Sequence, residues 1–169
     1  MSGEDIKTII RPMKREDVPR VHEIECACFR SPWSKNALLG ELRNDVAHYL
    51  VMELNGELIG YGGMWVLFEE AHVTNVAIMP DYRKRGLGRM LMLAMMERAI
   101  KYDAEKMTLE VRESNLVAQH LYEKLDFYQN GFRARYYSDT GEGAMILWNS
   151  DIQKTLKRER QKDAGSTEQ

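Results

Sequence analysis

The chain has 169 residues, a length that ordinarily forms one domain with a substantial hydrophobic core. Hydrophobic residues make up 44% of it and charged residues 30%, which argues against disorder. Its 24 basic against 26 acidic side chains exclude a globally basic nucleic-acid-binding protein, and its two cysteines and four histidines form no disulfide framework or zinc spacing. The N-terminal stretch is acidic where a signal peptide needs basic residues, and no apolar run is long enough to span a bilayer. We therefore expect a cytoplasmic protein that binds no metal, no membrane and, directly, no nucleic acid.

The hydrophobic pattern of the first half predicts strands and helices that follow one another along the chain. Ser34 is a predicted helix N-cap, and Asn55-Gly56 predicts a tight hairpin turn because both residues tolerate a positive φ. In chain order the predicted elements are a strand, two helices, the two strands of the hairpin and a further strand: residues 8–13, 15–29, 35–44, 49–54, 57–65 and 72–79.

The second half continues this mixed α/β order, and Ser114 or Asn115 is predicted to cap its short helix. Its elements are a long helix, a strand with one polar face, the short helix and a final strand pair: residues 86–102, 106–112, 116–125, 128–137 and 144–148. We expect residues 1–150 to form a single domain. The polar C-terminal tail, residues 151–169, is predicted to be a frayed helix or disordered beyond about residue 157.

A basic turn that contains two glycines lies between the strand that stops before Pro80 and the helix 86–102, and its sequence is Arg83-Lys84-Arg85-Gly86-Leu87-Gly88. Glycines let a ligand approach the backbone, and the first amides of a helix have no internal partners, so a pyrophosphate there accepts several hydrogen bonds. The turn lacks the Gly-Lys-Ser/Thr ending of a nucleotide P-loop and the G-x-G-x-x-G spacing of a dinucleotide-binding fold. Taken alone, it also matches a solvated charge run before a helix.

A strand followed by R-x-x-G-x-G and a long helix is the pattern in which this sequence resembles the coenzyme A pyrophosphate loop of the GNAT superfamily of acetyltransferases. The resemblance implies a GNAT fold, with a mixed, mostly antiparallel central sheet whose central strands are splayed and which is flanked by helices. It also implies that acetyl-CoA is the cosubstrate, with its pantetheine arm along main-chain groups of the strand before Pro80. The cofactor-binding residues that it implies are Val76, Ala77, Ile78, Lys84, Arg85, Gly86, Leu87, Gly88, Arg89 and Asn115. The alternative for Asn115 is a helix N-cap, a role that requires no ligand.

Acyl transfer to an amine requires one group that takes a proton from the ammonium and another that protonates the departing thiolate. Glu110, on the polar face of the predicted strand, is the candidate base, acting directly or through water, and the alternative is a surface residue paired with Arg112. Tyr122 is the candidate acid because a phenol keeps its proton at neutral pH. The alternative is a helix tyrosine with its ring in the core and its hydroxyl in water. The resemblance favours the catalytic role for both residues.

Residues 109–115 and 121–125 narrow the resemblance to the bacterial group that acetylates the N-terminal alanine of a ribosomal protein, and the similarity covers roughly residues 9–148. One departure is Asp126, where the family pattern has glycine and where a left-handed backbone is expected. A peptide α-amine with a pKa near 8 is about 10% neutral at pH 7, whereas a lysine near 10.4 is about 0.04% neutral, so the α-amine requires a weaker base. The resemblance implies as acceptor a protein N-terminus, specifically the N-terminal alanine of a small-subunit ribosomal protein, held by Phe29, Trp33, Tyr136 and Tyr137.

Three alternatives stay open at this point. An enzyme of the same superfamily could act on a lysine side chain or on a small amine, although the short chain lacks the insertions expected around a small-molecule pocket. A non-catalytic coenzyme A-binding module, or a module that uses the basic turn on nucleic acid, would share the same motif. Direct transfer is expected rather than a cysteine-bound intermediate, because no histidine pairs obviously with Cys26 or Cys28.

Overall fold

A computed structural model describes residues 7–166, so residues 1–6 and 167–169, part of the acidic N-terminal stretch and the end of the predicted tail, lie outside the described residues. Among residues 7–166, no helix has both the length and the apolar content needed to cross a lipid bilayer. The strands of the described chain are β1 Thr8–Pro12, β2 Ala47–Leu54, β3 Glu57–Leu67, β4 Glu70–Ile78, β5 Lys106–Arg112, β6 Tyr128–Arg133 and β7 Ala144–Asn149. Its α-helices are α1 Val18–Cys28, α2 Lys35–Leu42, α3 Leu87–Lys101, α4 Leu116–Lys124 and α5 Ile152–Ser166.

The strands form one seven-stranded sheet in the order β1-β2-β3-β4-β5-β7-β6. β4 and β5 pair in parallel, whereas β1 with β2, β5 with β7 and β6 with β7 are antiparallel. The predicted mixed, mostly antiparallel α/β sheet is confirmed. The register of the two central strands covers only three residue pairs, Glu70–His72 with Lys106–Thr108, although β4 continues to Ile78 and β5 to Arg112. The splaying of the central strands stays a prediction.

The first of two compact units comprises residues 7–64 and 74–95 of the described chain. Ser34 caps α2 as predicted, because its Oγ accepts a 3.0 Å hydrogen bond from the amide of Ala37. The predicted hairpin turn is also confirmed, since Asn55 and Gly56 have φ values of +52° and +86°. The core of this unit takes apolar side chains from both helices and from the strands: Val18, Val21, Ile24, Leu38, Val51 and Tyr61.

The second compact unit comprises residues 65–73 and 96–166 of the described chain. β5 buries Met107, Leu109 and Val111, the apolar side of its predicted alternation. The last strand pair differs from the prediction, because β6 ends at Arg133 rather than at residue 137. The chain turns there, where Arg135 has a φ of +53°, a conformation that does not continue a strand.

The C-terminal tail is helical, one of the two predicted alternatives, but it is not frayed or disordered beyond residue 157, because α5 is a regular helix from Ile152 to Ser166. Ile152, Thr155 and Glu159 lie at 0%, 1% and 4% exposure, at the spacing of one helical face. Two of these three inward side chains are polar, so apolar residues mark only part of the inward face of the helix. The hydrogen bonds and ion pairs that hold it come from elsewhere in the second unit.

Candidate active site

The turn between β4 and α3, residues 83–89, has a backbone conformation that suits the close approach of a ligand. Gly86 has a φ of +77°, and nothing lies within 4 Å of the place that a Cβ would occupy. Lys84 also has a positive φ, +64°, which is uncommon for a residue with a side chain. Helix α3 begins at Leu87, and the amides of Leu87 and Gly88 have no carbonyl within the helix to pair with. The turn therefore offers amide donors and the positive end of a helix dipole beside an open surface.

The three basic side chains that precede Gly86 in this turn have different surroundings. Arg83 Nε donates a 3.1 Å hydrogen bond to the carbonyl of Ile78, so this arginine braces the end of β4. The Arg85 guanidinium lies 5.3 Å from the centre of the Tyr82 ring, and Lys84 is exposed. Lys84 and Arg85 thus leave positive charge at the surface next to Gly86, where a pyrophosphate is predicted to bind.

The last residues of β4 are those predicted to contact the pantetheine arm. Val76 is half-buried, and Ala77 and Ile78 are buried. The carbonyl of Ile78 accepts from Arg83 and, at 3.4 Å, from the thiol of Cys28. This carbonyl already has two protein donors and is a poor acceptor for a ligand, so the predicted role of Ile78 narrows to its amide and side chain.

A buried carboxylate joins α1 to the predicted acceptor loop and to β4. Glu25 is 1% exposed, and its Oε2 accepts a 2.9 Å hydrogen bond from the amide of Trp33. Its Oε1 accepts from Asn75 Nδ2 at 3.0 Å and from the hydroxyl of Tyr61. Burial and the charge of Glu25 raise the pKa of Tyr61 above its ordinary value. Sequence reasoning did not assign Glu25 a role, and its signal is a charged residue on the otherwise apolar face of α1.

The loop between α1 and α2 carries Phe29 and Trp33, two of the residues predicted to hold the acceptor. Phe29 is 39% exposed, whereas Trp33 packs partly against the core of its unit. The Trp33 carbonyl lies 3.0 Å from His22 Nδ1, so both main-chain polar groups of Trp33 have a partner. His22 Nε2 lies 3.5 Å from Cys26 Sγ, which corrects the expectation that no histidine is near either cysteine. Direct acetyl transfer stays a prediction.

Glu110 projects from β5 with 33% of its side chain exposed. The alternative in which it pairs with Arg112 is wrong, because Arg112 makes two 2.9 Å hydrogen bonds to Asp139 and one of 3.2 Å to Glu142. Arg133 Nε lies 3.9 Å from the Glu110 carboxylate, a long ion pair that is partly exposed. This contact leaves part of the Glu110 carboxylate accessible to solvent.

Helix α4 carries two of the predicted site residues. Asn115 caps it as predicted, its Oδ1 accepting a 3.1 Å hydrogen bond from the amide of Ala118, and its contact with the cofactor stays a prediction. Tyr122 is 8% exposed, and its ring packs against that of Phe127, with centroids 5.6 Å apart. Burial, with a smaller contribution from Tyr137, raises the pKa of Tyr122 to about 12. The phenol is therefore protonated at neutral pH, as a proton donor must be.

Tyr136 and Tyr137 follow β6, and their rings meet edge to face with centroids 5.1 Å apart. The Arg112 guanidinium lies 3.9 Å from the centre of the Tyr137 ring, on the same side chain that binds Asp139. Tyr136 is 49% exposed, whereas Tyr137 is partly buried and its pKa is raised to about 12 by burial. Arg112 thus fixes the loop that presents these two aromatic rings.

The predicted site residues divide between the two units. The first unit holds the acceptor-loop aromatics and most of the predicted cofactor residues: Phe29, Trp33, Val76, Ala77, Ile78, Lys84, Arg85, Gly86, Leu87, Gly88 and Arg89. The second holds the acid, the base, the helix cap and the tyrosine pair: Glu110, Tyr122, Asn115, Tyr136 and Tyr137. In the described part of the chain, no group of three or more histidine, cysteine, aspartate or glutamate side chains could hold a metal ion.

Comparison with known proteins defines the class. Residues 18–127 match the family model described as the acetyltransferase (GNAT) family. This match spans more than half of the chain, so the protein belongs to the GNAT family and is an acetyl-CoA-dependent N-acetyltransferase. A protein of Bacillus subtilis (strain 168), which has the provisional name ribosomal protein bS18-alanine N-acetyltransferase, is 45% identical over 143 residues. The alignment covers 84% of this chain and 95% of that protein.

Two further comparisons concern Escherichia coli. The ribosomal protein bS18-alanine N-acetyltransferase of strain K12 is 33% identical over 142 residues, which cover 82% of this chain and 94% of that protein. The structure is also similar to a crystal structure, that of the ribosomal-protein-S18-alanine N-acetyltransferase from Escherichia coli, with a TM-score of 0.78 and 30% identity. The superposition covers 84% of this chain and 92% of the Escherichia coli chain. The GNAT fold predicted from the sequence is therefore confirmed in sequence and in structure.

Proposed function

We propose that this protein transfers the acetyl group of acetyl-CoA directly to the N-terminal amine of a protein, and that its acceptor is the N-terminal alanine of ribosomal protein bS18. The observation that carries the proposal is a buried, protonated phenol and an accessible carboxylate in one unit, Tyr122 on α4 and Glu110 on β5. These are the acid and the base that acyl transfer to an amine requires. The acceptor is supported by relatives of 45% and 33% identity that are named for that reaction.

We propose that the cofactor binds through residues of the first unit. Its pyrophosphate would accept hydrogen bonds from the amides of Leu87 and Gly88 and would be neutralised by Lys84 and Arg85. The residues present fit such a group, because Gly86 leaves open space where a side chain would block the backbone. Bound in this way, acetyl-CoA supplies the activated acyl group as a thioester.

Glu110 and Tyr122 have separate roles in this proposal. Glu110 takes the proton that the acceptor ammonium loses, directly or through a water molecule, which leaves a neutral amine. The amine nitrogen then attacks the thioester carbonyl, so that a C–N bond forms as the C–S bond breaks. Tyr122 gives its phenolic proton to the departing sulfur, and solvent restores that proton. An α-amine with a pKa near 8 is about 10% neutral at pH 7, so a partly exposed carboxylate is a sufficient base for it.

The acceptor in this proposal is held by the two aromatic pairs. Phe29 and Tyr136 offer exposed rings, and Trp33 and Tyr137 are the anchored members of their loops. Aromatic rings on fixed loops bind an extended peptide with little loss of side-chain entropy.

The experiment incubates the protein with acetyl-CoA and peptides that differ only at residue one, each with one internal lysine. Fragmentation mass spectrometry locates the acetyl group. We expect it on the α-amine of the alanine peptide, with none on the matched peptide whose N-terminus is blocked. Acetylation confined to lysine would show that the acceptor is a lysine side chain and not a protein N-terminus. Acetylation preferred on a polyamine would show that the acceptor is a small amine. Calorimetric binding of acetyl-CoA with no turnover on any acceptor would mark a non-catalytic module.

A further inference from the structure

Helix α4, which carries Tyr122, ends in a Schellman motif whose left-handed residue is Asp126. The amide of Phe127 donates to the carbonyl of Tyr122 at 3.0 Å, and the amide of Asp126 donates to the carbonyl of Glu123 at 3.1 Å. This motif requires a positive φ directly after the helix, and Asp126 has a φ of +68°. The ring of Phe127 packs on that of Tyr122. The position of Tyr122 therefore depends on the backbone conformation of Asp126.

Two further carbonyls at the end of α4 are bonded by residues from the end of the chain. The side-chain amide of Asn149, itself 1% exposed, donates at 2.8 Å to the carbonyl of Leu125. Arg158 of α5 donates at 3.0 Å to the carbonyl of Lys124. A helix leaves its last four carbonyls without partners further along the helix, so these two bonds complete the set begun by the Schellman motif.

The carboxylate of Asp126 is held by α5 as well. Arg158 Nη1 lies 2.7 and 2.6 Å from its two oxygens, and the buried hydroxyl of Thr155 donates to it at 2.7 Å. Asn149 Nδ2 donates at 2.9 Å to the same hydroxyl. Burial opposes ionisation of the carboxylate, but the hydrogen bonds and the charge of Arg158 outweigh it and lower the pKa of Asp126. The carboxylate thus has a fixed place against α5.

We propose that α5 is a positioning element for the reaction, which holds Asp126, through Arg158 and Thr155, in the left-handed conformation that places Tyr122. The inference rests on the proposed function, because it takes Tyr122 as the acid. A positive φ strains any residue with a side chain and does not strain glycine, the residue of the family pattern at position 126. The contacts from α5 therefore offset a strain that glycine would not create. Helix α5 lies outside residues 18–127, the part of the chain that matches the family model.

The test compares Arg158→Ala with Arg160→Ala, a matched arginine on the same helix whose partner is Glu97 at 2.8 Å. Steady-state kcat and the KM for acetyl-CoA are measured with the N-terminal alanine peptide. We expect Arg158→Ala to lower kcat about three- to tenfold with the KM changed less than about twofold, and Arg160→Ala to change neither. Asp126→Ala should act in the same direction as Arg158→Ala. The double variant Asp126→Gly, Arg158→Ala should recover most of the lost rate, because glycine adopts the conformation without help.

The variant Tyr122→Phe separates this proposal from the proposed function. When Arg158→Ala is added to Tyr122→Phe, kcat should not fall further, because residue 122 has already lost the hydroxyl that α5 positions. An equal loss in both backgrounds would mean that Arg158 acts on overall stability, and the positioning role would be refuted. Wild-type kcat in both Arg158→Ala and Asp126→Ala would also refute it and leave the role of Tyr122 intact. Wild-type kcat in Tyr122→Phe would instead remove the acid from the proposed function, and the positioning role with it.

Discussion

The substitution Glu25→Gln tests what the buried carboxylate of α1 contributes to stability. Glutamine keeps the shape but replaces one acceptor oxygen with an NH₂ group, which would face either the amide of Trp33 or the donors of Asn75 and Tyr61. At least one buried donor then loses its partner, at about 1–3 kcal/mol, and the remaining bonds lose their charge-assisted strength. We expect the free energy of unfolding to fall by about 2–3 kcal/mol, which lowers the Tm of a chain of this size by about 4–12 °C.

The loss is measured by urea unfolding and by thermal melting, with Glu23→Gln as the control. Glu23 lies on the same helix, but its side chain is 65% exposed and pairs with Arg20 at the surface, so its substitution should cost less than about 0.5 kcal/mol. We also expect Glu25→Gln to raise the KM for the peptide acceptor, since the hydrogen bond to the amide of Trp33 is either lost or weakened by the loss of charge. A loss of stability in Glu25→Gln no larger than in Glu23→Gln would refute the reasoning.

Three further predictions concern catalysis, the cofactor turn and pH. Glu110→Gln should lower kcat about 100-fold or more with the KM for acetyl-CoA unchanged, and a wild-type rate in a steady-state assay would remove Glu110 as the base. Gly86→Ala should raise the KM for acetyl-CoA several-fold, whereas Gly56→Ala, with a similar φ and equally open surroundings, should affect only stability. Hydrogen bonding to Arg11 holds the pKa of Asp17 below its ordinary 3.8, so its stabilisation is complete above about pH 4 and is lost as the pH falls further. Urea unfolding of Asp17→Asn should accordingly depend less on pH between about pH 4 and pH 2 than that of the wild type.

Backbone conformations decided by one or two neighbouring residues could be predicted from the sequence. Asn55-Gly56 predicted a hairpin turn, and both residues have the positive φ that the turn requires. Asp126 stands where the family pattern has glycine, so a left-handed backbone was expected there. Its φ of +68° confirms this expectation. Gly86 was predicted to let a ligand approach the backbone, and nothing lies within 4 Å of the place that its Cβ would occupy. At Asn55-Gly56 and at Gly86 the steric tolerance of the residues themselves allows the conformation, whereas at Asp126 the family pattern indicated it.

Side-chain partners that are distant in the sequence could not be predicted. Arg112 was weighed as a partner for Glu110 because residues two apart share a strand face. In the structure, Asp139 and Glu142 take that place, 27 and 30 residues further along the chain. Same-face residues on one strand are separated by about 7 Å of backbone, whereas a loop can bring a carboxylate to hydrogen-bond distance. Glu110 instead makes a longer ion pair with Arg133.

The sequence by itself determined the alternation of strands and helices, the basic glycine turn and the residue types of an acid and a base. Only the tertiary structure decided that Glu25 meets three donors inside its unit and that α5 packs against the end of α4. Apolar periodicity arises because apolar side chains are buried away from water, so it marks these side chains and not polar ones that are buried against specific partners. Those partners come from separate elements, and folding alone brings them within reach.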